Sequence, residues 1–179
     1  MSIICLPLVA ALAGAVNVEA TWRSSEDGFV NFAGYGYGGP RPDAHIKVTG
    51  TTYVGNGVYN GSGASQTVSR NVAARGSATF TVRLQNDGTV ADRLRVAGLA
   101  STSRFKITYL AGSTDVTSRV VAGTYRTVSL APGAQTALTV VIKAKVGTPA
   151  GTKVTVPVTV RSNVQPALLD VVKAKVTRV

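Results

Sequence analysis

The stretch "LQNDGTVAD" gathers Asn86, Asp87 and Asp92, three side chains whose oxygens could bind a cation or supply a catalytic acid. Calcium requires about six to eight oxygen ligands at one point, and the nearby Arg93 and Arg95 oppose a cation. Asn and Asp favour turns because they bond their own backbone, and glycine accepts positive φ without strain. We therefore predict a turn between two strands, in which Asp92 accepts backbone N–H groups.

Other residues with catalytic potential are few. His45 is the only imidazole, so a serine nucleophile has no other histidine as its base. Because it lies next to Pro42 and Asp43, it is predicted to be a surface or turn residue. The chain lacks the Cys and His set that zinc requires. Glycoside cleavage needs two carboxylates that face each other across about 5–10 Å. Residues 43–179 contain five Asp and no Glu, and these Asp lie in predicted turns or near the ends of predicted strands. We predict a non-enzymatic protein without a metal or cofactor.

The charge balance is strongly basic, with 19 Lys and Arg against 8 Asp and Glu. Residues 43–179 hold 17 of the basic and 5 of the acidic side chains, a net charge of +12. A field of this sign attracts anionic partners. An anionic cell-surface polymer or another surface protein is therefore the expected partner.

Basic residues on the polar phase of the predicted strands could form one face if those strands are neighbours in a sheet. The predicted polyanion-binding residues are Arg83, Arg93, Arg95, Arg104 and Lys106. A second basic group in the last third comprises Lys143, Lys145, Lys153, Arg161, Lys173, Lys175 and Arg178. The aromatic residues of these strands fall on the core phase, whereas single-stranded nucleic-acid binding uses exposed stacking aromatics. No specific nucleic-acid partner is expected.

The N-terminal run "IICLPLVAALAGAV" has the length of a signal-peptide core and is followed by small residues. It is shorter than the roughly 20 apolar residues of a membrane-spanning helix. Residues 1–20 are predicted to be a secretory signal, which makes the protein extracellular and leaves no span in the mature chain. The alternative is an apolar segment that belongs to the fold, because no Lys or Arg precedes the run.

Residues 21–42 are rich in glycine and aromatic residues and end with two prolines, a composition typical of an extended arm or linker. Such an arm could dock on a partner or lend a strand to a neighbouring copy. The aromatic residues predicted to act in such assembly are Trp22, Phe29, Phe32, Tyr35 and Tyr37.

From residue 43 onward, apolar and polar residues alternate, as in "TFTVRLQN" and "VTVPVTVR". Alternation with period two places one face on a core and the other in water. We predict an all-β antiparallel sandwich of eight or nine strands over residues 43–179. Of the candidate strands 45–49 and 52–59, one is expected to fail. Pro157 cannot donate to a ladder, so its strand is predicted to be an edge strand.

The segments "VRLQNDGTVAD" and "LAPGAQTALTVVI" resemble the immunoglobulin-like β-sandwich modules of bacterial extracellular proteins. Those modules pair an N-x-G-x-x-x-D turn with an A-P-G strand entry, and the resemblance spans roughly residues 43–178. It implies a structural role for both motifs and carries over no catalytic residue. The expected function is an extracellular structural or adhesive module of a bacterial surface. The alternative is a filament subunit that donates its N-terminal arm to the next copy.

Overall fold

The alternating pattern produces strands whose apolar side chains face inward. Along the strand Ser77–Asn86, every second residue is buried, and Phe80, Val82 and Leu84 have no exposed surface. The computed structural model describes residues 38–179. The predicted signal, residues 1–20, lies outside the described residues, as do the arm residues Trp22, Phe29, Phe32, Tyr35 and Tyr37.

The described chain contains ten strands and one helix of a single turn. The strands are β1 (Pro42–Val48), β2 (Thr67–Val72), β3 (Ser77–Asn86), β4 (Leu94–Gly98), β5 (Phe105–Ala111), β6 (Thr114–Asp115), β7 (Tyr125–Arg126), β8 (Gln135–Ala144), β9 (Lys153–Ser162) and β10 (Leu169–Arg178). Helix α1 (Thr117–Val121) joins β6 to β7. Its only buried residue is Val120, so its packing adds little to the core.

The strands form two five-stranded sheets. Sheet 1 has the order β1-β3-β8-β5-β6, and sheet 2 has the order β2-β10-β9-β4-β7. All pairings are antiparallel except that of β2 with β10, which is parallel. The predicted immunoglobulin-like all-β sandwich is confirmed, with ten strands rather than eight or nine.

The core lies between the inner faces of the two sheets. Phe80 and Tyr109 from sheet 1 and Val158 from sheet 2 are fully buried there. Burying one such large side chain contributes roughly 1.5–3 kcal/mol. The Tyr109 hydroxyl donates a 2.9 Å hydrogen bond to the Leu99 carbonyl, and burial raises the pKa of Tyr109. The core therefore satisfies the polar end of its largest side chain.

The prediction that Pro157 belongs to an edge strand is wrong, because β9 lies in the middle of sheet 2. Its partner Lys173 donates its N–H to Gln66 on the far side of β10. The Pro157 nitrogen therefore faces away from β10 and towards β4. Since β4 ends at Gly98, opposite Val158, no ladder donor is required at Pro157.

Residues 49–66 form a long loop, so the predicted strand 52–59 is not observed as a strand. The loop folds back on β1, and Ile46 and Val54 form an isolated bridge through two 2.8 Å backbone hydrogen bonds. Before β1, the Gly39 carbonyl accepts from the Thr89 N–H and the Arg41 carbonyl accepts from the Asp87 N–H. The last residues of the predicted arm are thus held against the Asn86–Thr89 turn.

Candidate anion-binding surface

The turn prediction for "NDG" is confirmed by the hydrogen bonds of the fully buried Asn86. Its Oδ1 accepts from the Gly88 N–H at 3.0 Å, and its Nδ2 donates to the carbonyls of Val90 and Leu130 at 2.8 Å. The amide nitrogen is therefore engaged with two carbonyls. This side chain fastens the β3–β4 turn to the segment before β8.

Asp92 joins three segments at the same end of the sandwich, as predicted from its place in the turn. Its Oδ1 accepts backbone N–H groups from Arg93, Asn163 and Val164, and its backbone pairs with Leu130. The carboxyl is 2 % exposed. It therefore presents almost no negative charge directly to solvent at this end of the sandwich.

The five predicted polyanion-binding residues do not form one face. Arg83 and Lys106 lie on β3 and β5 of sheet 1, with Arg104 just before β5, whereas Arg95 lies on β4 of sheet 2 and Arg93 just before it. The condition that their strands share a sheet is not met, because strands close in sequence cross from one layer to the other. Binding of a polyanion by these residues stays a prediction.

The structure instead brings Arg93 and Arg95 together with two arginines from distant parts of the chain. Arg95 lies directly opposite Arg126 on β7 and directly opposite Arg161 on β9. The Arg93 carbonyl accepts from the N–H of Asn163, two residues beyond Arg161. We call these four side chains, Arg93, Arg95, Arg126 and Arg161, the arginine patch.

The guanidinium groups of the patch are only lightly engaged. Arg95 donates from Nη2 to the Gly123 carbonyl, and Arg161 donates from Nη1 to the Pro166 carbonyl, both at 3.2 Å. Within residues 38–179, no carboxylate oxygen lies within 4.0 Å of a patch arginine. Like charges placed directly opposite each other destabilise a sheet, so the row of arginines carries an electrostatic cost that no described carboxylate offsets at close range.

The same outer face of sheet 2 carries lysines farther from the patch. Lys173 and Lys175 lie on β10 and Lys153 lies at the start of β9, all on the outward phase. On the opposite side of the sandwich, Lys106 faces Lys143 across β5 and β8. The second basic group of the sequence is therefore divided between the two outer faces, and only Arg161 belongs to the patch.

Few of the acidic side chains in residues 38–179 reach the surface. Asp43, Asp92 and Asp170 are buried, and Asp87 is half-buried. Asp87 accepts hydrogen bonds from the Tyr59 hydroxyl and the Gln85 amide, both at 2.6 Å. Asp115 is the one exposed carboxylate among the described residues, and a hydrogen bond from Thr117 lowers its pKa.

The prediction that His45 is a surface or turn residue is wrong, because it is 1 % exposed. Residues 49–66 cover the outer side of β1, and the Tyr53 ring stands edge-on to the imidazole at 6.2 Å. The His45 Nε2 lies 2.9 Å from Asp43 Oδ2, which also accepts from the Gly57 N–H. Burial raises the pKa of Asp43, while the bonds from Gly57 and His45 oppose that rise.

Asp170 is the second buried carboxylate beneath the loop. Oδ2 accepts from the Ala44 N–H, and Oδ1 accepts from the N–H groups of Asn60 and Val171 and from the Gln66 side chain. These four bonds tie β10, β1 and the loop together. A sequence signal for this role is weak, since nothing near Asp170 reveals donors that lie more than 100 residues away.

Metal-type clusters and enclosed cavities are the other features that could mark a site in the described residues. Within residues 38–179, no group of three or more His, Cys, Asp or Glu side chains is placed to hold a metal. An open depression on β2 is lined by Ser69, Arg70 and Asn71 and contains neither carboxylate nor imidazole.

The described residues also include no helix with the length and apolar character that a bilayer crossing demands.

No protein-family model matches the chain, and no curated protein matches it. A FixG-related protein from Vibrio parahaemolyticus is similar over 76% of this chain and 95% of its own, with 8% identity and a TM-score of 0.43. The secreted serine protease VesC from Vibrio cholerae matches 62% of this chain and 21% of its own, with 12% identity and a TM-score of 0.39. A PapD-like domain of human CEP192 matches 88% of this chain and 97% of its own, with 8% identity and a TM-score of 0.42. These values assign the chain to no family.

Proposed function

We propose that this protein is a non-enzymatic structural or adhesive module of a bacterial cell surface that attaches to anionic polymers by charge. One observation carries the proposal. Residues 38–179 hold 18 Lys and Arg, whereas three of their five Asp are buried and one is half-buried. The outer surface is therefore almost wholly cationic, and such a surface concentrates polyanions around it.

The positions of the groups that could do chemistry support a non-enzymatic role. His45, Asp43 and Asp170 are all buried beneath the loop of residues 49–66 and are engaged in hydrogen bonds with backbone and side chains. A catalytic acid or base must reach its substrate within hydrogen-bond distance. These side chains stabilise the loop and are not presented to a substrate.

An extracellular location is part of the same proposal. It is supported by the signal-like run in residues 1–20 and by the resemblance of the "NDG" and "APG" segments to bacterial extracellular modules. Export would bring the cationic sandwich into contact with the anionic polymers of a bacterial envelope.

Retention on an immobilised anionic polymer at increasing salt tests the proposal. We expect the purified chain to be retained at low salt and released as salt rises, because exposed charges are screened beyond about 10 Å at 0.1 M salt. A basic protein of equal size with its acidic residues exposed provides the control. Free passage of the chain at low salt would overturn the attachment role.

The second candidate is a filament subunit that receives the N-terminal arm of its neighbour as an added strand. It is favoured by β2, an edge strand of sheet 2 whose residues are mostly exposed. Edge strands offer unpaired backbone groups to an incoming strand. Light scattering should then detect polymers of the full chain and monomers after deletion of residues 21–40. Monomers from both proteins would rule out this candidate.

A further inference from the structure

The arginine patch is a local arrangement that overall basicity does not require. Arg126, Arg95 and Arg161 occupy one row across three adjacent strands of sheet 2. Neighbouring strands lie about 4.8 Å apart, and directly opposed Cβ atoms about 4.5–5.5 Å apart. Three long cations are thus held side by side, and Arg93 extends the cluster two residues along from Arg95.

Guanidinium groups at this spacing can act on one anion together. Each presents five N–H donors in a planar fork, and in Arg95 and Arg161 one donor is fixed on a backbone carbonyl while the others are free to bind. A single fork satisfies both oxygens of a planar carboxylate. A phosphate group points its oxygens in tetrahedral directions, so neighbouring forks on the same face can each bind a different oxygen.

The outward strand positions of sheet 2 include no aromatic side chain. These positions carry Thr, Ser, Asn, Ala, Pro, Lys, Leu and Val besides the arginines, and Tyr125 of β7 is turned into the core. Binding of single-stranded nucleic acid relies on aromatic platforms for the bases. A polymer bound here is held through its charge and gains nothing from base stacking.

We propose that the arginine patch binds successive phosphate groups of a linear, base-free phosphate polymer. This inference rests on the proposed function and locates its attachment site on β4, β7 and β9. The lysines of the same face, Lys153, Lys173 and Lys175, contribute only a general attraction. Arg93 and Arg95 retain the role predicted from the sequence, whereas Arg83, Arg104 and Lys106 lie outside this site.

Two charge-matched variants of the full chain test the site with end-labelled inorganic polyphosphate as the probe. One carries Arg95→Gln, Arg126→Gln and Arg161→Gln, and the other carries Lys153→Gln, Lys173→Gln and Lys175→Gln. Each removes three positive charges from the outer face of sheet 2. We expect the arginine variant to bind on the order of tenfold more weakly than the lysine variant, with a flatter dependence of affinity on salt.

Three comparisons separate the outcomes. Equal losses in the two variants would overturn the site but leave the proposed function standing, whereas failure of the native chain to bind any polyanion would overturn both. Tighter binding of polygalacturonate than of polyphosphate would overturn the phosphate assignment, and so would tighter binding of a single-stranded oligonucleotide at equal charge. Unchanged thermal unfolding of both variants shows that the losses arise at the surface.

Discussion

Asn86 and Leu130 lie 44 residues apart in the chain and are joined by a 2.8 Å hydrogen bond from Asn86 Nδ2 to the Leu130 carbonyl. The same nitrogen donates to the Val90 carbonyl, so the buried amide holds two loops at once. An isosteric carboxylate would place an acceptor against two acceptors. The identity of this residue as Asn, rather than Asp, therefore determines whether the turn closes.

Asn86→Asp is expected to lower the free energy of unfolding by about 3 kcal/mol, since a buried charge would lose both hydrogen bonds. Chemical denaturation measures the loss. Asp87→Asn is the matched control, and because Asp87 is half-buried its loss should stay near 1 kcal/mol. If Asn86→Asp were as stable as the native chain and acquired calcium affinity, the turn would instead be a cation site.

Asp170→Asn should be strongly destabilising, because an amide cannot accept from all four N–H donors that surround the carboxylate. We expect a loss of about 2–4 kcal/mol. Hydrogen exchange should quicken at the amide of Ala44 if the new NH2 group replaces Oδ2, or at the amide of Asn60 if it replaces Oδ1. Asp115→Asn, at an exposed site, should leave the free energy of unfolding nearly unchanged. Unaltered exchange at both amides would contradict the structural role of Asp170.

Gly55→Ala should loosen the loop of residues 49–66. Gly55 has φ of +105°, and a Cβ there would lie 2.6 Å from Gln66 Oε1 and 2.8 Å from the Ala44 carbonyl. We expect a loss of about 1–3 kcal/mol in unfolding experiments. Gly50→Ala is the control, because Gly50 has φ of +85° but open space around the added Cβ. Its loss of stability therefore reports the backbone strain alone. Equal losses in the two variants would show that the loop is not packed tightly against β1.

The stability of the fold should decline between about pH 10 and pH 12, in part through Tyr59. Burial, together with the hydrogen bond to Asp87, raises the pKa of Tyr59 from 10.0 to about 12. A raised pKa means that the folded state keeps its proton longer, so this contribution is complete below pH 10 and is lost as the pH approaches 12. Tyr59→Phe should weaken the decline, as measured by denaturation over that range. Asp87→Asn should lower the pKa of Tyr59, as measured by an absorbance titration. An unchanged pKa would show that the Tyr59 hydroxyl does not donate to Asp87 in solution.

The sequence predicted the positions of the strands better than it predicted which strands lie next to each other. Alternation located β3, β5, β8 and β9, and "NDG" was correctly interpreted as a turn because its chemistry is local. The position of Pro157 was not predictable, since a central strand accepts proline where the adjacent strand has already ended, and that depends on the length of β4. The burial of His45 escaped prediction for a similar reason: its cover comes from a loop whose path no local pattern specifies.

The all-β class, the turn at Asn86 and the excess of positive charge follow from the order and composition of the residues alone, because periodicity, turn chemistry and charge are local or additive properties. The folded arrangement of the strands is what brings Arg93, Arg95, Arg126 and Arg161 onto one surface and leaves Arg83 and Lys106 on the opposite sheet. Strand order and register set which outward side chains meet, and both follow from the packing of two sheets on one core. The charge can therefore be counted from the sequence, whereas a binding surface can be located only once the order of the strands in each sheet is known.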